Sequence, residues 1–355
     1  MLLAPASALA QTESFADRLQ FHGYGEFHYN NPQTGTMDED AIAEADVHRM
    51  VLGWTYEFTD AIRLDAEVDF EHAATEIELE YAHIDYDLTP TLTLRAGSVL
   101  MPVGPLNEFH EPPLFYSVER PYVENTILPT TWQEIGVGLV GRSGSLAYRA
   151  YVVTGLDAAG FTSLSGIRGG RGHAAEAPAE DLAGVARLEY ANPTGLSLGA
   201  SGYYGGADQG DSTLGDVTVG IVNGDARFRR YGFDLRGVLY KVFLDADDLS
   251  AAQGEPIGES MLGWYAEAAY DLLRRDKDES RRRSLFIFGR LENFDTNDDV
   301  SGPFAANPEA ERQVITAGLS YLPIEKIAFK ADFEHWEDDA DQELNRFNLG
   351  AAFMF

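Results

Sequence analysis

The sequence predicts an all-β protein, a transmembrane antiparallel β-barrel of about sixteen strands with one long loop folded into its lumen. Three observations predict it. Segments of about ten residues alternate apolar and polar side chains with a period of two, longer than the strands of most soluble sheets and suited to a tilted membrane crossing. Short turns and long loops alternate along the chain, as they must when one rim carries turns and the other loops. Residues 101–134, MPVGPLNEFHEPPLFYSVERPYVENTILPTTWQE, are too long for a turn and too apolar for a solvated linker, so they need something to pack on.

Composition narrows the field further. The 355 residues carry a formal net charge of −32, so no basic face exists for nucleic acid. There are no cysteines, which removes disulfides and thiolate metal sites. The first ten residues end in Ala8-Leu9-Ala10, a small-x-small pattern that fits the end of a secretory signal. Residues 1–10 are therefore read as a signal-peptide remnant and 11–355 as the barrel. Beyond them no apolar run reaches the ~18 residues of a spanning helix, which leaves an exported chain either soluble or a barrel.

The strands follow in order. In the first, Leu19, Phe21, Phe27 and Tyr29 share a face, and Gln20, His22, Tyr24, Glu26, His28 and Asn30 share the other. The second sets His48, Met50, Leu52, Trp54, Tyr56 and Phe58 against Arg49, Val51, Gly53, Thr55 and Glu57. The third is the clearest, with Ile62, Leu64, Ala66, Val68 and Phe70 opposite Arg63, Asp65, Glu67, Asp69 and Glu71. The fourth, 77–88, changes phase, with Ile77, Leu79 and Tyr81 on the apolar face before the slip and Ala82, Ile84 and Tyr86 after it, so a β-bulge is expected near Tyr81. The fifth, 91–100, enters the long loop and the sixth, 134–141, leaves it. Ten more follow at 146–154, 182–190, 195–204, 217–228, 233–242, 261–272, 285–294, 313–321, 327–336 and 344–355.

Charge and aromatics sort with the rims. The long-loop rim holds Asp38-Glu39-Asp40, Asp245 to Asp248, Asp298-Asp299 and Glu337-Asp338-Asp339, whereas the short-turn rim holds Arg229-Arg230, Arg274-Arg275, Lys277 and Arg281 to Arg283. Tyr56, Phe58, Tyr86, Tyr190, Phe228, Tyr270, Tyr321 and Phe355 lie near strand ends, where interfacial girdles sit.

About sixteen strands enclose a water-filled channel, because ionised groups on the inward faces are expensive to bury dry. Asp65, Glu67, Asp69, Glu71, Glu78, Glu80, Asp85 and Asp87 are expected to form one acidic wall. Arg49, Arg63, Arg95, Arg149, Arg187, Arg227, Arg236, Arg290 and Lys330 fall on inward positions of many other strands. Opposed acidic and basic surfaces would set a field across the lumen.

One stretch carries a family resemblance. The run Leu106-Asn107-Glu108-Phe109-His110-Glu111-Pro112-Pro113, then Phe115-Tyr116, Val118-Glu119-Arg120 and Leu128 to Glu134, resembles the constriction-loop region of the phosphate-selective porin O/P family. Gly23-Tyr24, His28-Tyr29, Glu71-His72-Ala73, Glu78-Leu79-Glu80, Leu94 to Gly97, and Gly166-Ile167-Arg168 with Arg171 agree. The resemblance implies a sixteen-stranded outer-membrane porin of a Gram-negative-type bacterium, a homotrimer whose third long loop enters the lumen. Asn107, Glu108, His110, Glu111, Glu119 and Arg120 would shape the constriction, stiffened by Pro112 and Pro113. The family's phosphate-selective members line the channel with arginines; here 58 acidic residues face 26 basic ones, so anions such as phosphate compete with other small hydrophilic solutes or ions.

Weaker features point elsewhere. Glu108, His110 and Glu111 include metal-ligand types but suit hydrogen-bonded anchors better, so no dedicated metal site is expected. Asp295-Thr296-Asn297-Asp298-Asp299 resembles a calcium loop without its flanking helices; loosely held Ca or Mg bridging lipopolysaccharide at acidic loops is the most it supports. No G-x-S-x-G or Walker sequence occurs, and no enzyme activity is expected. A barrel-embedded hydrolase and a sealed barrel anchoring a surface assembly stand as alternatives to a passive porin in contact with outer-membrane lipid.

Overall fold

The computed structural model describes residues 15–37, 42–245, 247–274, 283–300 and 303–355. The signal reading at 1–10 lies outside them, as do Asp38, Glu39 and Asp40 of one rim and Arg275, Lys277, Arg281 and Arg282 of the other.

Sixteen strands appear where the alternation placed them: β1 Leu19–Gly35, β2 Glu44–Thr59, β3 Ile62–Glu71, β4 Glu76–Thr89, β5 Leu92–Leu100, β6 Gln133–Ser143, β7 Leu146–Thr154, β8 Leu182–Ala191, β9 Leu196–Gly206, β10 Thr218–Arg230, β11 Phe233–Leu244, β12 Ser260–Asp271, β13 Ser284–Asp299, β14 Glu311–Ile324, β15 Ile327–Asp338 and β16 Glu343–Met354. Each pairs antiparallel with its sequence neighbour, and β1 pairs with β16, from Tyr24 opposite Met354 to Gly35 opposite Leu344, so the sheet closes. A closed sheet leaves no unpaired edge, which a lipid environment demands.

The alternation sorts side chains by wall. Phe21, Ile77, Val152, Leu182, Leu239 and Phe329 are exposed on the outside, where lipid replaces the core that such residues usually seek. Tyr24, Glu26, Arg49, Asp85, Arg187 and Glu334 point inward and are buried. Phe58, Tyr86, Tyr190, Phe228, Tyr270 and Phe355 remain exposed at the short-turn rim, as a girdle there requires.

Two bulges revise the faces. In β4 the register moves from Glu67 opposite Tyr81 to Val68 opposite Leu79, so Glu80 is the extra residue. The bulge falls where expected, but it turns Tyr81 inward, its hydroxyl 3.4 Å from His22 Nε2, rather than onto the apolar face. In β2, Arg49 faces Glu26 and Val47 faces Phe27, which leaves His48 as an unexpected extra residue. His48 consequently turns inward and stacks on His28 at 4.3 Å, against the alternation that set it outside.

Strands β1 and β13 also run further than expected. Residues 295–299 complete β13 where the sequence suggested the start of a loop, with Asp298 accepting hydrogen bonds from Lys241 and from Ser260 Oγ at 2.9 Å.

Candidate functional site

The segment between β5 and β6 crosses the whole lumen. It begins at a knot: Asn107 Nδ2 donates to the carbonyls of Met101 and Trp132, each at 2.8 Å, and its Oδ1 accepts from Trp132 N at 3.0 Å, so the base of the loop is tied shut. Gly104 has φ +72°, and a Cβ there would sit 1.8 Å from the Tyr240 hydroxyl, so only glycine lets the chain pass β11. His110 bridges to the near wall, with its Nε2 2.8 Å from the Tyr24 hydroxyl and 3.0 Å from Glu80 Oε1. Opposite, Val118 N donates to Asp332 at 2.6 Å, Val123 N donates to Glu292 at 3.0 Å, and Lys330 donates to the Pro112 and Ser117 carbonyls, each at 2.7 Å.

Apolar side chains complete the attachment. Val123, Ile127, Leu128 and Trp132 are fully buried against inward-facing Tyr203, Val219, Ile221, Val238, Tyr240, Met261 and Tyr265 of β9 to β12. Phe161 and Ile167 of the 155–181 connection, Leu249 and Ile257 join the same cluster. Burial of each such side chain contributes roughly 1.5–3 kcal/mol, enough in sum to fix the loop. The expectation of water behind ionised inward faces is therefore corrected for one sector: the long-loop half of β7 to β12 faces inward with apolar residues, and loops pack against it.

Glu124 stands inside this apolar sector. It accepts from the Tyr240 hydroxyl at 2.7 Å and the Tyr265 hydroxyl at 3.3 Å. Burial raises its pKa to about 8, the two tyrosines offsetting only part of that. Because the folded value lies above the ordinary 4.5, its contribution to stability is complete below pH 4.5 and is lost as pH rises through about 8. Glu124→Gln should flatten that loss, worth about 1.4 kcal/mol per pH unit in the window. Melting temperatures in detergent from pH 5 to 9 read it, and parallel wild-type and variant profiles would mean that the buried carboxyl is ionised.

The eight strand arginines expected on the inner wall each lie beside a carboxylate. Arg49 meets Glu71 and lies 3.5 Å from Asp69; Arg63 reaches Asp85 at 2.8 Å and Asp87 at 2.9 Å; Arg95 meets Asp85 at 2.8 Å. Arg149 joins Glu108 at 3.0 Å and Glu189 at 2.7 Å, and Arg187 joins Glu189 at 3.0 Å and Asp225 at 2.9 Å. Arg227 meets Asp234 at 2.6 Å, Arg236 lies 3.5 Å from both Asp234 and Glu267, and Arg290 binds Glu267 at 3.4 Å and Glu292 at 2.7 Å. On the acidic side, Glu67 takes His22 at 3.0 Å and Asp65 takes Thr55 at 3.2 Å. The acids of β3 and β4 do share a wall, but bases from β2, β3 and β5 pair with it among the described residues, so local ion pairs replace the expected opposition of acidic and basic surfaces along these strands.

Of the six residues expected to shape the constriction, Asn107 and His110 are buried anchors, and Glu108 is held against Arg149. Glu111 lies half-buried near the loop's turn. Glu119 and Arg120 line a cavity of about 410 Å³ toward the long-loop rim, with Glu26, His28, Arg49, Glu78, Arg168 and Arg171. His28 lies 3.2 Å from Glu119, and Asn30 donates to the same carboxylate at 2.7 Å. Burial would raise the pKa of Glu119, yet the His28 hydrogen bond and the charges of His28 and Arg346 together outweigh it and hold the pKa well below the usual carboxylate range.

Three guanidinium groups in this cavity differ from the rest. Among the described residues, Arg120, Arg168 and Arg171 make no ion pair with a carboxylate. Arg168 donates to the Asn125 carbonyl at 2.9 Å, and Arg171 to the carbonyls of Arg168 at 3.1 Å, Thr130 at 3.0 Å and Thr131 at 3.2 Å. Burial, then the charges of Arg171 and Arg120, draw Arg168 down to about 9. Burial draws Arg171 down to about 10 against the pull of Glu78, so both Arg168 and Arg171 remain charged at neutral pH. Glu71, Glu76 and Glu78 line the same cavity, so basic and acidic groups face one space here. Arg168 and Arg171 are implied by the family resemblance alone; the polar GIRGGRG run carries no local signal that the connection between β7 and β8 folds inward.

No protein-family model matches the chain. An uncharacterized protein of Aquifex aeolicus (strain VF5) is 34% identical over 347 residues, covering 91% of this chain and 77% of that one. The outer membrane channel DcaP of Acinetobacter baumannii superposes with a TM-score of 0.64 at 13% identity, covering 95% of this chain and 97% of that one. An anion-selective porin from Comamonas acidovorans superposes with a TM-score of 0.60 at 11% identity, covering 95% and 99%. The closed sixteen-stranded barrel with an apolar outer wall is the architecture of a bacterial outer-membrane protein of the Gram-negative type.

Proposed function

The chain belongs to the same family as the Aquifex aeolicus protein, and we propose that it is a passive outer-membrane porin through which small hydrophilic anions, phosphate or carboxylate-bearing, diffuse. The observation that carries the reading is the cavity with three guanidiniums lacking carboxylate partners. A half-buried cation without an anion is unfavourable, and a transient anionic solute relieves that. Carbonyl oxygens stabilise Arg168 and Arg171 enough to hold them in place without neutralising them. The fold that the chain shares with an anion-selective porin supports the same direction. The phosphate-selective family named by the loop motif fits this proposal, and the proposal gives the protein no catalytic step.

The test is the reversal potential in planar bilayers under a salt gradient. Arg168→Gln with Arg171→Gln should shift it toward cation preference, and an unchanged potential in a correctly folded double variant would remove these residues from the permeation path. Assembly as a homotrimer belongs to the same proposal. It is supported by an apolar hollow of about 590 Å³ on the outer wall, where Gly184, Gly202 and Gly220 leave the surface bare beside Tyr204. A sealed barrel is the second reading, favoured by the apolar filling of the β7 to β12 sector. Liposome swelling with small sugars separates the two, since a sealed barrel admits none.

A further inference from the structure

At the long-loop rim, beside the cavity but not part of its arginine cluster, two imidazoles and a carboxylate converge. Asp46 Oδ2 lies 2.6 Å from His72 Nδ1 and 3.4 Å from His48 Nδ1, and the three candidate ligand atoms all fall within 4.8 Å of one another. They open onto a hollow of about 310 Å³ that Glu44, Glu119 and Arg346 also line.

The backbone departs from regularity twice to bring them together. Without the bulge in β2, His48 and Asp46 would both continue the outward phase of Met50; the extra residue brings the pair to the inner face, with Asp46 opposite His28. Bulges of this kind recur where a side chain must be re-aimed. His72 starts the β3 to β4 turn with φ +48°, followed by Ala73 at +56° and Ala74 at +68°. Three successive non-glycine residues in the left-handed region are unfavourable, and here they carry the imidazole over the mouth of the barrel. The His48 ring is also held, stacked on His28 with an interplanar angle of 8°, and His28 is fixed in turn by Glu26 at 3.0 Å and Glu119 at 3.2 Å. The stack fixes the plane of the His48 ring, whose Nδ1 is turned toward Asp46.

We propose that Asp46, His48 and His72 bind a divalent transition-metal ion of the zinc class at the outer mouth of the barrel. Two imidazole nitrogens and one carboxylate oxygen are the donor set of borderline divalent ions, whereas Ca and Mg take oxygen donors throughout. Donors about 2.1 Å from a tetrahedral ion stand roughly 3.4 Å apart, so the present spacing closes onto an ion through small side-chain rotations. The remaining position opens to the hollow and is left for water or an arriving ligand. This inference does not depend on which solute permeates.

The experiment uses the full-length barrel, folded in detergent and without a histidine tag, titrated with Zn²⁺ in a calorimeter at neutral pH. One ion per chain is expected, undiminished by millimolar Mg²⁺. His48→Ala and His72→Ala should each weaken binding tenfold or more, and Asp46→Asn less. Substituting Co²⁺ in the wild type should give a visible ligand-field absorption that His72→Ala loses. Saturable binding that survives both histidine variants would mean that other acidic groups hold the ion, and no saturable binding would leave the cluster an ion pair; either result overturns the proposal. Heat-modified migration on a gel confirms that each variant is folded, and His48→Gln and His72→Gln repeat the test should an alanine variant misfold.

Discussion

Replacing residues 104–131 by a short glycine-serine linker should raise single-channel conductance by at least about threefold, because a sixteen-stranded wall by itself encloses a wide aqueous channel. The loop occupies that space through attachments on almost every side: His110 to β1 and β4, Glu108 to β7, Tyr116 to Asp234 on β11 at 2.7 Å, and Lys330 on β15. Removing it also exposes Tyr203, Ile221, Val238 and Met261 to water, so the variant should melt earlier while it conducts more. Planar-bilayer recordings at a fixed salt concentration read the first effect and heat-modified gel migration the second. Conductance equal to wild type in a folded variant would show that the loop does not limit flow.

Arg290→Met should destabilise the folded barrel by about 3–5 kcal/mol, the usual consequence of leaving buried charges without their partner. Arg290 is only 2% exposed, sits between Glu267 and Glu292, and donates to Ser117 Oγ at 2.6 Å, so it ties the loop as well as the wall. The companion variant, Arg290→Met with Glu267→Gln and Glu292→Gln, should recover much of the loss because no charge is then stranded. Urea unfolding in lipid micelles reads both. A single variant within about 0.5 kcal/mol of wild type would mean that water already reaches these carboxylates, and would move the permeation path to the β12 to β13 side.

The strands were legible because lipid outside and polar groups inside leave a period-two record, clearest in β3, where Ile62, Leu64, Ala66 and Val68 alternate with Arg63, Asp65, Glu67 and Asp69. The phase slip before Ala82 betrayed one bulge. The bulge at His48 left no such mark, because Val47 and Met50 on either side read as apolar in either register. Faces that meet loops instead of water were also hidden. Val219 and Ile221 face inward while Gly220 and Val222 face out, and nothing local says that Trp132 and Ile127 will cover them. Ile127, Leu128 and Trp132 did signal that the loop needed an apolar partner, but not where it lay. The site was legible to the same limited extent. Glu119 and Arg120 were named from the loop motif, whereas Arg168 and Arg171 reach the same cavity from a connection whose path is set by packing.

The pairing of Tyr24 with Met354 and of Phe27 with Ala351 has a consequence for how the molecule comes into being. The two partners of that seam are more than three hundred residues apart, so the last hydrogen-bonded ladder waits until synthesis of β16 is finished. Until then β1 presents a bare edge prone to clumping with other nascent polypeptides. Biogenesis should therefore depend on an escort that shields that edge, and polypeptides cut short before β16 should be degraded rather than inserted.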